Sequence, residues 1–220
     1  MKLPEARAYR TTIVNRRWLS DHTFEVKLAR PDGFAFMPGQ RIHLNCGDAG
    51  RDYSLVSSPR DESLRLCIRH VPGGALTPKL LDIPIGTSLH FFGPDGYFLF
   101  RKSGKHPVFI ATGTGVAPFV SMCLAGCSGF TLLHGVRYPG EQYYADILQR
   151  AAETYMPCIT GPVQSRSDGY AGRVTGYVAD ELPAGDYDFY LCGRTEMVRD
   201  VTRVVDQRFP NSRVFIELFF

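Results

Sequence analysis

The pattern of apolar residues changes once along the chain, near Arg101-Lys102-Ser103-Gly104-Lys105, and this change restricts the fold more than any other feature. Before it, β-branched and aromatic runs at residues 10–18, 22–29, 40–46, 51–57, 64–71 and 88–92 are broken by turn formers such as Pro31-Asp32-Gly33, Pro72-Gly73-Gly74 and Gly93-Pro94-Asp95-Gly96. Short runs bounded in this way predict an antiparallel barrel or sandwich. One short helix is expected at residues 78–81, with Thr77 as its N-cap and Pro78 at its first position. After the change, apolar strands at residues 108–110, 130–134, near Cys158, 187–192 and 213–216 alternate with helices at 116–124, 142–153, 177–181 and 196–209. Such alternation predicts a parallel sheet. The expectation is two domains, residues 1–101 and 106–220, joined by the polar residues 102–105.

Composition excludes several classes. Lys and Arg number 25 against 22 Asp and Glu, a net charge of +3, too balanced for a protein that binds nucleic-acid phosphates. No apolar run reaches the roughly 18 residues of a membrane span, and the first ten residues lack the apolar core of a signal peptide. A cytoplasmic chain without disulfides is expected. The six cysteines form no C-x-x-C pair and match no zinc or plant-type iron–sulfur spacing, so they read as small hydrophobes and no metal is expected.

The second half opens on a strand, then Ala111-Thr112-Gly113-Thr114-Gly115-Val116-Ala117-Pro118, then a helix. Two glycines one residue apart let the backbone turn tightly and approach a pyrophosphate. Pro118 stands where the usual fingerprint has a third glycine and suits a helix's first turn. The alternative is a plain strand–helix turn.

Six motifs occur in a fixed order. They are Arg51-Asp52-Tyr53-Ser54, Gly74-Ala75-Leu76-Thr77, Gly93-Pro94-Asp95-Gly96-Tyr97-Phe98, the loop at 111–118, Cys192-Gly193 and Glu217-Leu218-Phe219-Phe220. In that order they resemble the ferredoxin–NADP⁺ reductase family of flavoproteins. The resemblance implies a six-stranded antiparallel β-barrel that binds FAD, followed by a Rossmann-like α/β domain that binds NADP(H), with NADH as the other possibility.

It also implies roles for individual residues. Tyr53 stacks on the isoalloxazine, the Ser54 hydroxyl meets flavin N5, and Arg51 meets a flavin phosphate. Tyr53 and Arg51 share a strand face, and a guanidinium fork matches phosphate oxygens. The main chain of Arg69, His70 and Val71 borders the flavin. Gly74, Ala75, Leu76 and Thr77 offer amides, and Thr77 its hydroxyl, to the FAD pyrophosphate. Thr112, Gly113, Thr114, Gly115 and Pro118 take the nicotinamide nucleotide. Cys192, with Gly193, stands beside the nicotinamide, and Glu217 matches an acidic position near the flavin. Phe219 or Phe220 covers the flavin face on which nicotinamide must stack. His70 is not needed as a base, because hydride transfer between cofactors requires none at the reacting carbon.

An NAD site usually carries an acid at the end of its second strand. Here that strand ends His134-Gly135-Val136-Arg137, with no acid until Glu141. The resemblance implies that arginines at this edge, Arg137 with Arg166 and Arg173 further on, hold a 2′-phosphate, so NADPH is favoured, although Asp168 beside Arg166 could neutralise that arginine. The implied activity is hydride transfer between NADPH and FAD, with single electrons passed to ferredoxin or flavodoxin by a monomer. Arg16, Arg17, Arg101, Lys102 and Lys105 form a possible basic dock for such an acidic carrier. The alternatives are a reductase component of an oxygenase, a flavin or ferric reductase, or a non-catalytic electron-transfer or nucleotide-sensing subunit.

Overall fold

The computed structural model describes residues 5–162 and 169–218. The chain divides into two compact units. One holds the chain up to Phe100 together with Ala117–Ala125; the other holds Arg101–Val116 and the chain from Gly126 onward.

In the first unit, β1 (Arg7–Ser20), β2 (Thr23–Ala29), β3 (Arg41–Cys46), β4 (Ala49–Ser54), β5 (Ser63–Arg69) and β6 (Ser88–Asp95) form one antiparallel sheet of order β4-β3-β6-β1-β2-β5. The two edges meet where Leu55 bridges Leu66 and the Val56 amide donates to the Arg65 carbonyl at 2.9 Å. Closure removes the open edges of the sheet, as in a barrel. Strand alternation fills the interior: Ile42, Leu44 and Cys46 of β3 point inward onto Phe24, Leu66 and Phe91, while Arg41, His43 and Asn45 face out. A short helix, α1 (Thr77–Asp82), follows β5, with Leu80 buried. The helix α2 (Ala117–Leu124) also belongs to this unit. Phe119 lies 5.7 Å from the Phe98 ring, and Ser121 Oγ donates to the Ser57 carbonyl at 2.7 Å.

The second unit has a parallel sheet built from β7 (His106–Thr112), β8 (Thr131–Val136), β9 (Thr154–Ile159), β10 (Tyr170–Ala171), β11 (Tyr187–Gly193) and β12 (Arg213–Leu218). Its order is β10-β9-β8-β7-β11-β12. The chain runs outward from β7 on one side and resumes beside β7 with β11, so the topological switch lies at β7. Helices α3 (Ala145–Ala151), α4 (Val174–Asp180) and α5 (Thr195–Arg208) lie between strands. The α5 helix buries Met197, Val198, Val201 and Val205, a three-and-four spacing that marks one face. That face joins Val108, Ile110, Phe189 and Leu191 of the sheet in the core.

The structure departs from the expected elements at several points, and α4 begins at Val174 rather than Tyr177. The strand expected at 51–57 ends at Ser54: the Leu55 amide still donates to the Gln40 carbonyl at 3.0 Å, but Leu55 bridges Leu66 and the Val56 amide turns to Arg65 of β5. The helix expected at 142–153 is confined to Ala145–Ala151: Tyr144 has φ 58°, which no helix continues through, and Pro139–Glu141 form a separate 3₁₀ turn. Thr77 is the first helical residue rather than the N-cap, which is Leu76. Its hydroxyl is turned instead to Val71, accepting the amide at 3.0 Å and approaching the carbonyl at 3.3 Å.

Candidate functional site

Within the first unit the candidate site lies on the edge strand β4. Tyr53 pairs with Ile42 and Ser54 with Arg41. The Tyr53 ring packs on the barrel core and is partly buried, and burial pushes its phenol up to about 12 despite the opposing field of Arg51. Arg51 is exposed, with Nη1 donating to the Gly50 carbonyl at 3.1 Å. Asp52 faces the other way, 2.6 Å from His43 Nδ1 and 3.4 Å from Arg41 Nε. Ser54 is 2 % exposed, and its hydroxyl has no hydrogen-bond partner among the described residues. An unsatisfied buried hydroxyl costs about 1–3 kcal/mol, so this position suits an external polar atom.

The loop before α1 is tied back on itself. Gly73 has φ 73°, the Gly74 amide donates to the Val71 carbonyl at 2.9 Å, and the His70 amide donates to the His22 carbonyl at 2.8 Å. The Gly74 amide and the Thr77 hydroxyl, both expected at a pyrophosphate, are therefore engaged at Val71. Arg69, Val71 and Ala75 are exposed, and Leu76 is buried. The His70 ring stands edge-on to Trp18 at 6.1 Å. The far end of α1 is held by Arg16, which donates to the carbonyls of Leu80 and Ile83, each at 2.6 Å, and to that of Leu81. These are the carbonyls a helix leaves unpaired, and a cation there also suits the dipole.

In the second unit the 3₁₀ turn Gly113–Val116 leaves the end of β7, at the switch in strand order. A Cβ on Gly115 would overlap the Cys192 carbonyl oxygen and stand 2.9 Å from Gly193 Cα. A Cβ on Gly193, where φ is +143°, would overlap Thr112 Oγ1. That oxygen accepts the Arg194 amide at 3.0 Å. The glycine turn and Cys192-Gly193 are thus in backbone contact. In register, Ala111 pairs with both His134 and Cys192, and Cys192 pairs with Glu217. Cys192 is fully buried, and burial with the nearby Glu217 charge raises its thiol well above the ordinary value, so it is a neutral thiol. Glu217 is 6 % exposed.

Arg137 follows β8 directly, its guanidinium 5.3 Å from the Tyr138 ring centroid. Arg173 is exposed at the N-cap of α4, two residues after β10. Since Val136 pairs with Ile159 and Ile159 with Ala171, both arginines sit on the C-terminal edge of the sheet, two strands apart. Ligands bind along that edge in open parallel sheets.

Residues 11–100 match the model of the oxidoreductase FAD-binding domain, and residues 109–203 that of the oxidoreductase NAD-binding domain. The chain is 30% identical to ferredoxin–NADP reductase B of Sorangium cellulosum over 242 residues, covering 98% of this chain and 99% of that protein. The chain belongs to the ferredoxin–NADP⁺ reductase family. It is also 31% identical over 213 residues to the toluate 1,2-dioxygenase electron transfer component of Pseudomonas putida, covering 90% of this chain and 63% of that protein. Against three of its curated relatives, the chain spans 58% to 63% of their length. The fold is that of the Neisseria gonorrhoeae ferredoxin NADP⁺ reductase crystallised with FAD and NADP, with a TM-score of 0.84 at 21% identity over 98% of this chain and 100% of that one.

The residues present fit both groups the family binds. The orphaned Ser54 hydroxyl beside Tyr53 fits a polar-edged aromatic ring, and Gly113 and Gly115, the latter against the Cys192 backbone, leave two positions of the turn without side chains, which suits close approach of a pyrophosphate. Phe219, Phe220 and Arg166 lie outside the described residues. Of the expected basic dock, Arg16 is used within its own unit on α1, and Arg17 pairs with Glu25 at 2.8 Å. Arg101 faces the Phe215 ring, and Lys105 donates to the Asn211 carbonyl. Sequence reasoning read Arg16 as part of a dock, whereas its partners lie more than sixty residues away on α1, and it missed His134, which sits beneath the glycine turn. One signal for His134 was available: it is a lone polar side chain inside the apolar run Leu132-Leu133-His134. Among the described residues no helix is long and apolar enough to cross a membrane.

Proposed function

We propose that the chain is an FAD-dependent reductase of the cytoplasm that takes hydride from NADPH and delivers single electrons to an external carrier such as ferredoxin or flavodoxin. The observation that carries this reading is the buried Ser54 hydroxyl next to Tyr53, unpartnered among the described residues, within the stretch that matches an FAD-binding domain. Bound FAD supplies the hydride acceptance and one-electron release. Tyr53 stacks on one face of its ring, Ser54 holds the polar edge at N5, and Arg51 binds a phosphate. The turn at 112–115 binds the nucleotide pyrophosphate, and the neutral Cys192 thiol packs beside the nicotinamide without forming a bond to it. Glu217, next to Cys192 in register, supports that position. Arg137 and Arg173 hold the 2′-phosphate, and the acid nearest the end of β8, Glu141, is engaged by the amides of Arg137 and Tyr138 at 2.8 and 3.1 Å.

A second reading is a reductase component for an oxygenase. The 31% identity to a dioxygenase electron transfer component supports it. One experiment tests both. The purified protein should be yellow, bleach anaerobically with NADPH faster than with NADH, and then reduce ferredoxin or flavodoxin. Bleaching followed by electron delivery only to an oxygenase would favour the second reading. A colourless protein that does not take up added FAD would defeat both.

A further inference from the structure

His134 is fully buried on β8, with Nε2 3.2 Å from the Gly113 carbonyl oxygen and Nδ1 3.1 Å from the Tyr155 hydroxyl. A carbonyl only accepts, so Nε2 carries the proton, Nδ1 is an acceptor and Tyr155 donates to it. Burial drives the imidazole down to about 4, against the opposing pull of the Gly113 bond and of Glu141, so the ring is neutral and this tautomer persists at neutral pH. Gly113 has φ 52°, a left-handed conformation that favours glycine. A trans peptide is planar, with its carbonyl and its N–H directed oppositely. Fixing the Gly113 carbonyl toward His134 therefore turns the Thr114 amide away from the sheet core.

We propose that His134, oriented by Tyr155, is a positioning residue for nicotinamide-nucleotide binding, which holds the Gly113–Thr114 peptide with its amide facing the nucleotide phosphate. This rests on the reading of residues 112–115 as the nucleotide turn. The competing view is a core histidine whose bonds serve the fold alone. Because His134→Leu leaves the Gly113 carbonyl and the Tyr155 hydroxyl unpaired, it lowers stability on either view, and nucleotide affinity of the folded variant separates the two.

The test is calorimetric titration of the FAD-loaded protein with NADP⁺ and NAD⁺, beside thermal melts, for wild type, His134→Leu, His134→Gln and Tyr155→Phe. Glutamine can place a donor near the position of Nε2, and leucine cannot. The expected result is a Kd raised about tenfold in His134→Leu and within about threefold of wild type in His134→Gln. Tyr155→Phe should fall between them. In turnover, KM for the nucleotide should rise while kcat at saturation holds. A folded His134→Leu protein that binds like wild type overturns the inference. If that variant does not fold, wild-type affinity in Tyr155→Phe overturns it instead. Wild-type protein that binds neither nucleotide removes the proposed function, and this inference with it.

Discussion

Gly115 lies against the backbone of Cys192: a Cβ there would stand 2.8 Å from the Cys192 carbonyl carbon and overlap its oxygen. Both partners are main chain, one at a turn and one in a central strand, so neither yields easily. Gly115→Ala should lower nucleotide affinity at least tenfold and destabilise the α/β unit by about 1–3 kcal/mol, the usual cost of overpacking. FAD absorbance should persist, because Tyr53 and Ser54 belong to the other unit. Nucleotide titration with a parallel melt checks this; wild-type affinity would mean that the turn does not bind the nucleotide.

Ser54 gives a prediction with opposite signs for stability and activity. Its hydroxyl is buried without a partner among the described residues, so Ser54→Ala should leave the FAD-free protein as stable or more stable, by up to about 1 kcal/mol. The same change should slow reduction of the flavin by NADPH about tenfold, the effect of losing one hydrogen bond in the transition state. Stopped-flow reduction and melts of the FAD-free protein measure the two. A loss of stability with an unchanged rate would assign the hydroxyl to the fold.

Arg137 and Arg173 share the C-terminal edge of the parallel sheet, two strands apart. Replacing both with Ala should weaken NADPH and spare NADH. Each charge-assisted bond to a phosphate contributes roughly 1.5–3 kcal/mol, so the preference should fall at least tenfold per residue. Steady-state kinetics with both nucleotides decides it; parallel losses with NADH would place these arginines outside the 2′-phosphate site.

His134 predicts a pH limb of stability. Burial lowers its folded-state pKa to about 4, below the ordinary imidazole value near 6.5. The unfolded chain therefore binds a proton first as pH falls, and stability is lost between about pH 6.5 and 4, being fully present above that window. The difference corresponds to about 3 kcal/mol at most. In His134→Leu this limb should flatten, leaving the carboxylate titrations below it. Denaturant titrations at pH 7, 6, 5 and 4.5 measure the slope, and an identical slope in the variant would contradict the neutral buried ring.

The order of motifs determined the family, and the change of pattern near residue 101 determined the two architectures, because strand alternation and βα alternation are local properties that a sequence carries in its spacing. Tyr53, Ser54 and the glycine turn were legible for the same reason, since each motif lies within a few consecutive residues. What only tertiary structure decided is which groups meet. Thr77 was an N-cap by local rule, yet its hydroxyl is taken by Val71, because the loop between them folds back. Arg16 was a surface cation by composition, yet the sheet carries it to the carbonyls that end α1. His134 was one polar residue at the end of a strand. Parallel pairing of β7, β8 and β9 sets it between Gly113 and Tyr155, each twenty-one residues away, and only there do its burial and its tautomer follow. Contacts of that range depend on strand order and register, which are chosen by the packing of the whole sheet and leave no mark in the residues beside them.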